Sequence, residues 1–254
     1  MTALPSGWMP DVPMKRIHLH WTVGNYKANS TDLKSYHILI EGDGTPVRGN
    51  GSIANNAPGA TGREVSHTLN ANTGAIGVSL CSMVGAKESP FTAGPCPFTK
   101  IQWDAAVAVI AQLAKRYGIV VTPVTILTHA EVEPNLRIKQ RGKWDITRLP
   151  YDDTVRGYAP VGDKLRREVA AALDRLSGVP DTPPTDPTLR LARFKVSGVA
   201  PSTLNIRRAP GGDKVGALPE GMRVERLGII DGWWHIRTPA GFTGWVWNSF
   251  LVPV

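Results

Sequence analysis

The chain is poor in cysteine, with two in 254 residues, and that excludes a scaffold built on disulfides. Neither Cys81 nor Cys96 sits in a CxxC pair, and a single bridge and two free thiols both stay open. Long apolar runs are missing as well. No segment approaches the ~18 consecutive apolar residues of a spanning helix, so no membrane insertion is expected. The opening stretch "MTALPSGWMPDVPMKR" lacks a basic segment followed by an apolar one, the pattern of an ordinary export signal. We therefore expect a product made in the cytoplasm and released by a pore or a non-standard route. Acidic residues are outnumbered, 21 against 29 Lys and Arg, for a net charge of +8. Such a balance suits an anionic partner: nucleic acid, an acidic membrane or an acidic wall polymer. No basic helix or aromatic-studded RNA motif accompanies the charge, so nucleic acid is not expected.

What is present has globular character, 42% apolar and 20% charged. "RIHLHWTV" (16 to 23) alternates and predicts a strand, and "SYHILIEGDGTPV" predicts two strands around a Gly42-Asp43-Gly44 turn. "GAIGVSLCSM" (74 to 83) suits a buried strand. In "TKIQWDAAVAVIAQLAKRYG", Thr99 and Gln102 form a capping box, and Trp103, Val107, Ile110 and Leu113 an apolar stripe. Gly118 stops the helix. "IVVTPVTILTH" predicts a strand ending at His129, and "GDKLRREVAAALDRL" a second amphipathic helix. Strands interleaved with helices indicate an α/β (α+β) domain, a central mixed β-sheet flanked by helices.

Residues 177 to 188, "SGVPDTPPTDPT", have the composition of a semi-rigid linker. Beyond them, short alternating segments with Gly/Pro turns predict a small all-β barrel. The expected organisation is a catalytic domain over 1–176, a linker over 177–189 and a barrel over 190–254. Four of the eight tryptophans lie between Trp233 and Trp247. Core filling is the expected role of that group.

The chemistry candidates are few. His18 and His20 lie two apart and face one side of their strand. His20 and His129 each sit toward the C-terminal end of a predicted strand, where ligands collect in sheet-plus-helix domains. Asp145 follows His129 by sixteen residues, across "THAEVEPNLRIKQRGKWDI", read as a polar loop. Two imidazoles and a carboxylate would leave zinc a fourth position for water, as in catalytic sites. From spacing alone, each histidine taken singly fits an ordinary structural role better than that of a ligand.

Five ordered motifs add to this: "IHLHWTVGNY", "SYHILIEGDGTPVRG", "SHTLNANTGAIGVSL", "THAEVEPN" and "GKWDI". Over roughly residues 14 to 150 the chain resembles type-2 N-acetylmuramoyl-L-alanine amidases, which share a fold with phage lysozyme-type amidases and peptidoglycan recognition proteins. The resemblance implies zinc (Zn2+) held by His20, His129 and Asp145, with Tyr36 and Lys143 as catalytic residues. It implies hydrolysis of the amide between N-acetylmuramic acid and L-alanine, with peptidoglycan as the partner. A non-catalytic peptidoglycan-binding protein is the alternative, and the three filled ligand positions argue against it.

Lys143 would stabilise the oxyanion. Tyr36 and Glu131 are both candidates for the general base, a salt bridge being the other reading of Glu131. His67 and Asn72 match a substrate-contacting loop, or they stabilise that loop. Trp21 either contacts sugar or is a buried neighbour of the metal strand. His18 is read as packing or as a partner just behind the metal ligands, and His37 as core on the opposite side of the sheet from Tyr36. Beyond the linker, "LNIRRAP", "GALPEGMRVERLG" and "GWWHIRTPAGFTGWV" resemble bacterial SH3-like domains, which commonly bind cell-wall material. A monomeric, endolysin-like enzyme acting on the wall is expected.

Overall fold

The alternation in "RIHLHW" sets the frame. In β1 (Arg16–Trp21), Ile17, Leu19 and Trp21 belong to the apolar core, while His18 and His20 face the other way. The computed structural model describes residues 3–176, 193–208, 210–230 and 232–254. The chain separates into two compact units, Met1–Asp181 and Thr182–Val254. The linker expected over 177–189 lies outside the described residues.

In the first unit α1 (Ser30–Ser35) precedes the hairpin of β2 (Ile38–Ile40) and β3 (Pro46–Arg48). Next come β4 (Ala75–Leu80), α2 (Lys100–Tyr117), β5 (Ile126–Thr128) and α3 (His129–Leu136). A short pair, β6 (Arg148–Leu149) and β7 (Asp152–Arg156), leads to α4 (Tyr158–Leu176). The five-stranded sheet runs β3-β2-β4-β1-β5 and is mixed: β1 is parallel to β4 and β5, and only β3 is antiparallel. Register places Ile17 beside Ile76 and Ile126, and His20 beside Ser79. One face of the sheet is therefore apolar. It packs on Trp103, Val107, Ile110 and Leu113 of α2 and on Val161, Leu165 and Val169 of α4. The expected capping box of Thr99 and Gln102 is formed, and Gly118 takes the left-handed conformation (φ 62°) that ends α2.

Two expectations change. The strand predicted over "IVVTPVTILTH" shrinks to β5, because the hydroxyls of Thr122 and Thr125 bind each other and the local backbone in place of a ladder. The first half of the expected polar loop is the helix α3, and the backbone N–H of Thr128 donates to Glu131 Oε2 at 2.9 Å. Cys81 and Cys96 are free thiols, and burial pushes the Cys81 thiol up to about 12.

The second unit is a seven-stranded antiparallel sheet, ordered β10-β9-β13-β12-β11-β8-β14. Its strands are β8 (Arg193–Val196), β9 (Leu204–Arg207), β10 (Lys214–Leu218), β11 (Arg223–Ile230), β12 (Trp233–Arg237), β13 (Thr243–Trp247) and β14 (Leu251–Pro253). Its core holds Val196, Leu204, Ile206, Leu218, Val224, Ile236, Val246 and Leu251 with Phe194, and Trp234 packs against it, so the filling is mainly aliphatic with part of the tryptophan group added. Trp245 is buried against the ring of His235, and Trp234 lies edge-on to Phe194. Trp233 and Trp247 pack against each other at a surface groove.

Candidate metal centre

His20, near the end of β1, and His129, the first residue of α3, come together because β1 and β5 are parallel neighbours. The chain returns through Gln140 to Asp145, whose carbonyl accepts from the N–H of Ala130. Three atoms converge. His20 Nδ1 is 3.0 Å from His129 Nδ1 and 3.2 Å from Asp145 Oδ2, and His129 Nδ1 is 3.1 Å from Asp145 Oδ2.

That triangle fits zinc. Tetrahedral zinc with bonds of about 2.0–2.2 Å holds its ligand atoms roughly 3.3 Å apart. The donor set is right as well. Burial holds the His20 imidazole down to about 4, partly offset by the Asp145 carboxyl beside it, so the ring is neutral at neutral pH and one of its nitrogens offers a lone pair. Burial alone would raise the Asp145 carboxyl, but its close contacts with the His129 and His20 rings outweigh it and bring it to about 2.

Behind the triangle sits a layer of histidine. Thr68 Oγ1 lies 3.0 Å from His18 Nδ1, 2.8 Å from His67 Nδ1 and 3.4 Å from His20 Nε2. The His67 ring occupies the space that Gly77 leaves, since a Cβ there would meet it at 2.6 Å. His37, its ring 5.6 Å from that of His67, is buried as expected. It lies, however, on the His20 side of the sheet: Leu39 pairs with Ser79, which pairs with His20, and His37 is two residues before Leu39. The side read from sequence was wrong because Tyr36 lies outside the strand, at the end of α1.

A cleft of about 910 Å³ opens over the triangle, lined among others by Tyr36, His67, Asn72, His129, Lys143 and Asp145. The Tyr36 ring is 5.3 Å from that of His20. Burial, and then the Asp145 charge, push its phenol well above the ordinary value, so it stays protonated. Lys143 is exposed on the cleft wall, and its charge acts on His20. Three non-glycine residues with left-handed backbone line the cleft: Val23 (φ 58°), Asn70 (φ 55°) and Arg141 (φ 56°). A β-branched valine in that region is strained, a feature that collects at functional sites.

Other candidates land elsewhere. Glu131 is no general base in this geometry. Its carboxylate packs on Gly162 of α4 and pairs with Arg166 at 2.9 Å, on the helix-covered face of the sheet. Trp21 borders the cleft, but its ring packs on Phe98 and Trp144 and is 3% exposed, which favours its reading as a buried neighbour of the metal strand. Asn72 braces its loop: Oδ1 accepts from the N–H groups of His67 and Thr68, and Nδ2 donates to Glu64. Sequence reading missed Thr68, Val23 and Gln140. All three lie in quoted stretches, but nothing in their residue type or spacing singled them out.

The family model for N-acetylmuramoyl-L-alanine amidase matches residues 10–146, just over half of the chain, and reaches from before β1 through Asp145. The chain belongs to this amidase family. A bacterial SH3 domain model matches residues 202–252 of the second unit. A search of curated proteins found no match. Among solved structures, N-acetylmuramoyl-L-alanine amidase LysC from Clostridium intestinale URNW is 19% identical, over 56% of this chain and 79% of that one, with a TM-score of 0.34. The Ph2119 endolysin from a Thermus scotoductus bacteriophage is 17% identical, over 48% and 75%, at 0.31. Bumblebee PGRP-SA is 14% identical, over 56% and 78%, at 0.34. At such TM-scores these likenesses add nothing to the family assignment. Among the described residues no helix is long and apolar enough to cross a membrane.

Proposed function

We propose that the first unit is a zinc-dependent amidase that cuts the bond between N-acetylmuramic acid and L-alanine in peptidoglycan. The observation carrying this reading is the triangle of His20 Nδ1, His129 Nδ1 and Asp145 Oδ2, open to a cleft in an amidase-family domain. Zinc held by those atoms would supply a Lewis acid for the scissile carbonyl and lower the pKa of water toward ~7.

The chain's own groups do the rest. Lys143, on the cleft wall, offers a fixed positive charge to the oxygen that becomes negative as the carbonyl is attacked. Tyr36, held protonated, donates a hydrogen bond into the same space. His67 and Asn72 shape the wall where substrate lies, Asn72 by holding the loop and not by touching the ligand.

The second unit is proposed to hold the enzyme on the wall. Its groove of about 380 Å³ is lined by Arg207, Trp233, Trp247 and Phe250, with the Arg207 guanidinium 6.0 Å from the Trp233 ring centre. Glu220 fixes one side by accepting from the N–H groups of Gly198, Val199 and Ala200. Aromatic faces beside a cation suit sugar rings and carboxylates together. The test of the metal reading is zinc content after dialysis, for the parent chain and for His129→Ala. One ion per chain in the parent and none in the variant is expected; equal content in both would refute the assignment.

A further inference from the structure

Gln140 lies in the stretch between α3 and Asp145, is 2% exposed, and has every polar side-chain atom committed. Its Nε2 donates to the carbonyls of Leu69 at 2.9 Å and Ile138 at 3.1 Å. Those two acceptors decide the amide's orientation: the nitrogen must face them, so Oε1 faces His129. His129 Nε2 is 2.9 Å from that oxygen. An amide oxygen only accepts, so Nε2 carries the ring's proton. Nδ1, the atom in the triangle, keeps its lone pair. The backbone is held too, because the N–H of Gln140 donates to Glu133 Oε2 at 2.8 Å, on the helix that His129 begins.

We propose that Gln140 is a positioning residue that locks His129 in the Nε2–H tautomer and thereby sets the zinc affinity of the site. Nothing in the family assignment marks this residue, and the inference rests on the zinc reading above. An outer partner that orients a histidine ligand is typically worth ten- to hundredfold in metal affinity.

The experiment uses the full chain. Zinc dissociation constants are measured by competition with a fluorescent chelator for the parent, Gln140→Leu and Gln140→Glu, alongside melting temperatures of the metal-free proteins. Gln140→Leu removes the acceptor at similar volume and should weaken zinc binding by about ten- to hundredfold. Gln140→Glu keeps an acceptor for His129 while losing the donor bonds to Leu69 and Ile138, and should bind within a few-fold of the parent. A role in packing alone predicts that both variants fail alike. Long-range proton–nitrogen spectra of the metal-free parent should show His129 protonated at Nε2, a readout that survives if a variant does not fold. Leucine binding as tightly as glutamine, both variants equally weak, or His129 protonated at Nδ1 in the parent would each overturn the proposal. A parent chain that binds no zinc overturns the metal reading and this inference with it.

Discussion

Glu131 and Arg166 form a buried ion pair at 2.9 Å on the side of the sheet away from the cleft, although Glu131 is only two residues from His129. The Arg166 guanidinium also donates to the Ile126 carbonyl at 3.0 Å, tying α4 to the strand that delivers His129. The pair is therefore a support for the site and takes no part in its chemistry. Removing one partner of a buried pair typically costs about 3–5 kcal/mol. Arg166→Met should lower stability by that order, read from urea unfolding. Glu131→Gln should leave turnover of the folded protein essentially unchanged. A thousandfold loss of turnover with unchanged metal content would return Glu131 to the reaction.

The histidine layer predicts sensitivity to acid. Burial holds His37 down to about 3 and His18 and His67 well below the ordinary value of 6.5. These groups bind protons near pH 6.5 when unfolded but much lower when folded. The unfolded chain therefore gains protons first as pH falls, and stability is full above 6.5 and drains away toward 3. At pH 5 His37 alone accounts for roughly 2 kcal/mol. Melting of chelator-treated protein from pH 8 to 4.5 checks this, and a flat profile down to pH 5 would contradict it. His37→Asn, which can still accept from the Gly77 N–H, should flatten the slope.

Lys143 and Tyr36 are expected to act on the reaction and not on the metal. Lys143→Met should lower kcat by about a hundred- to a thousandfold, the usual loss for one oxyanion-stabilising group, with zinc content unchanged. Tyr36→Phe should lower kcat by a smaller factor of the same kind. Loss of zinc in either variant would show that these side chains build the site.

The groove of the second unit is expected to matter only on insoluble substrate. Trp247 is 40% exposed on its rim. Trp247→Ala should reduce co-sedimentation with purified wall and slow its digestion, with hydrolysis of a small soluble muropeptide unchanged. Equal loss on both substrates would mean that the variant disturbs the catalytic unit.

The histidine–aspartate triangle was legible in sequence because family motifs mark its three residues, and α2 because its cap, stripe and stop are all local. α3 was not: Pro134 and the charged stretch around it masked a helix held by tertiary contacts. The fate of Glu131 was hidden for the same reason, since only the fold brings Arg166 to it across 35 residues. Gln140 left no trace at all. A lone glutamine has no pattern until Leu69 and His129 surround it. The tryptophans of the second unit divide, Trp234 and Trp245 packing inward and Trp233 and Trp247 lining a groove, a split that no sequence spacing marks.

End groups released from purified peptidoglycan, with and without a zinc chelator, test the central claim most directly. New amino-terminal alanine that disappears with the chelator, and no new reducing sugar, is the expected result. Reducing ends, or wall that binds the protein without any new ends, would contradict a zinc amidase and leave a glycosidase or a binding protein in its place.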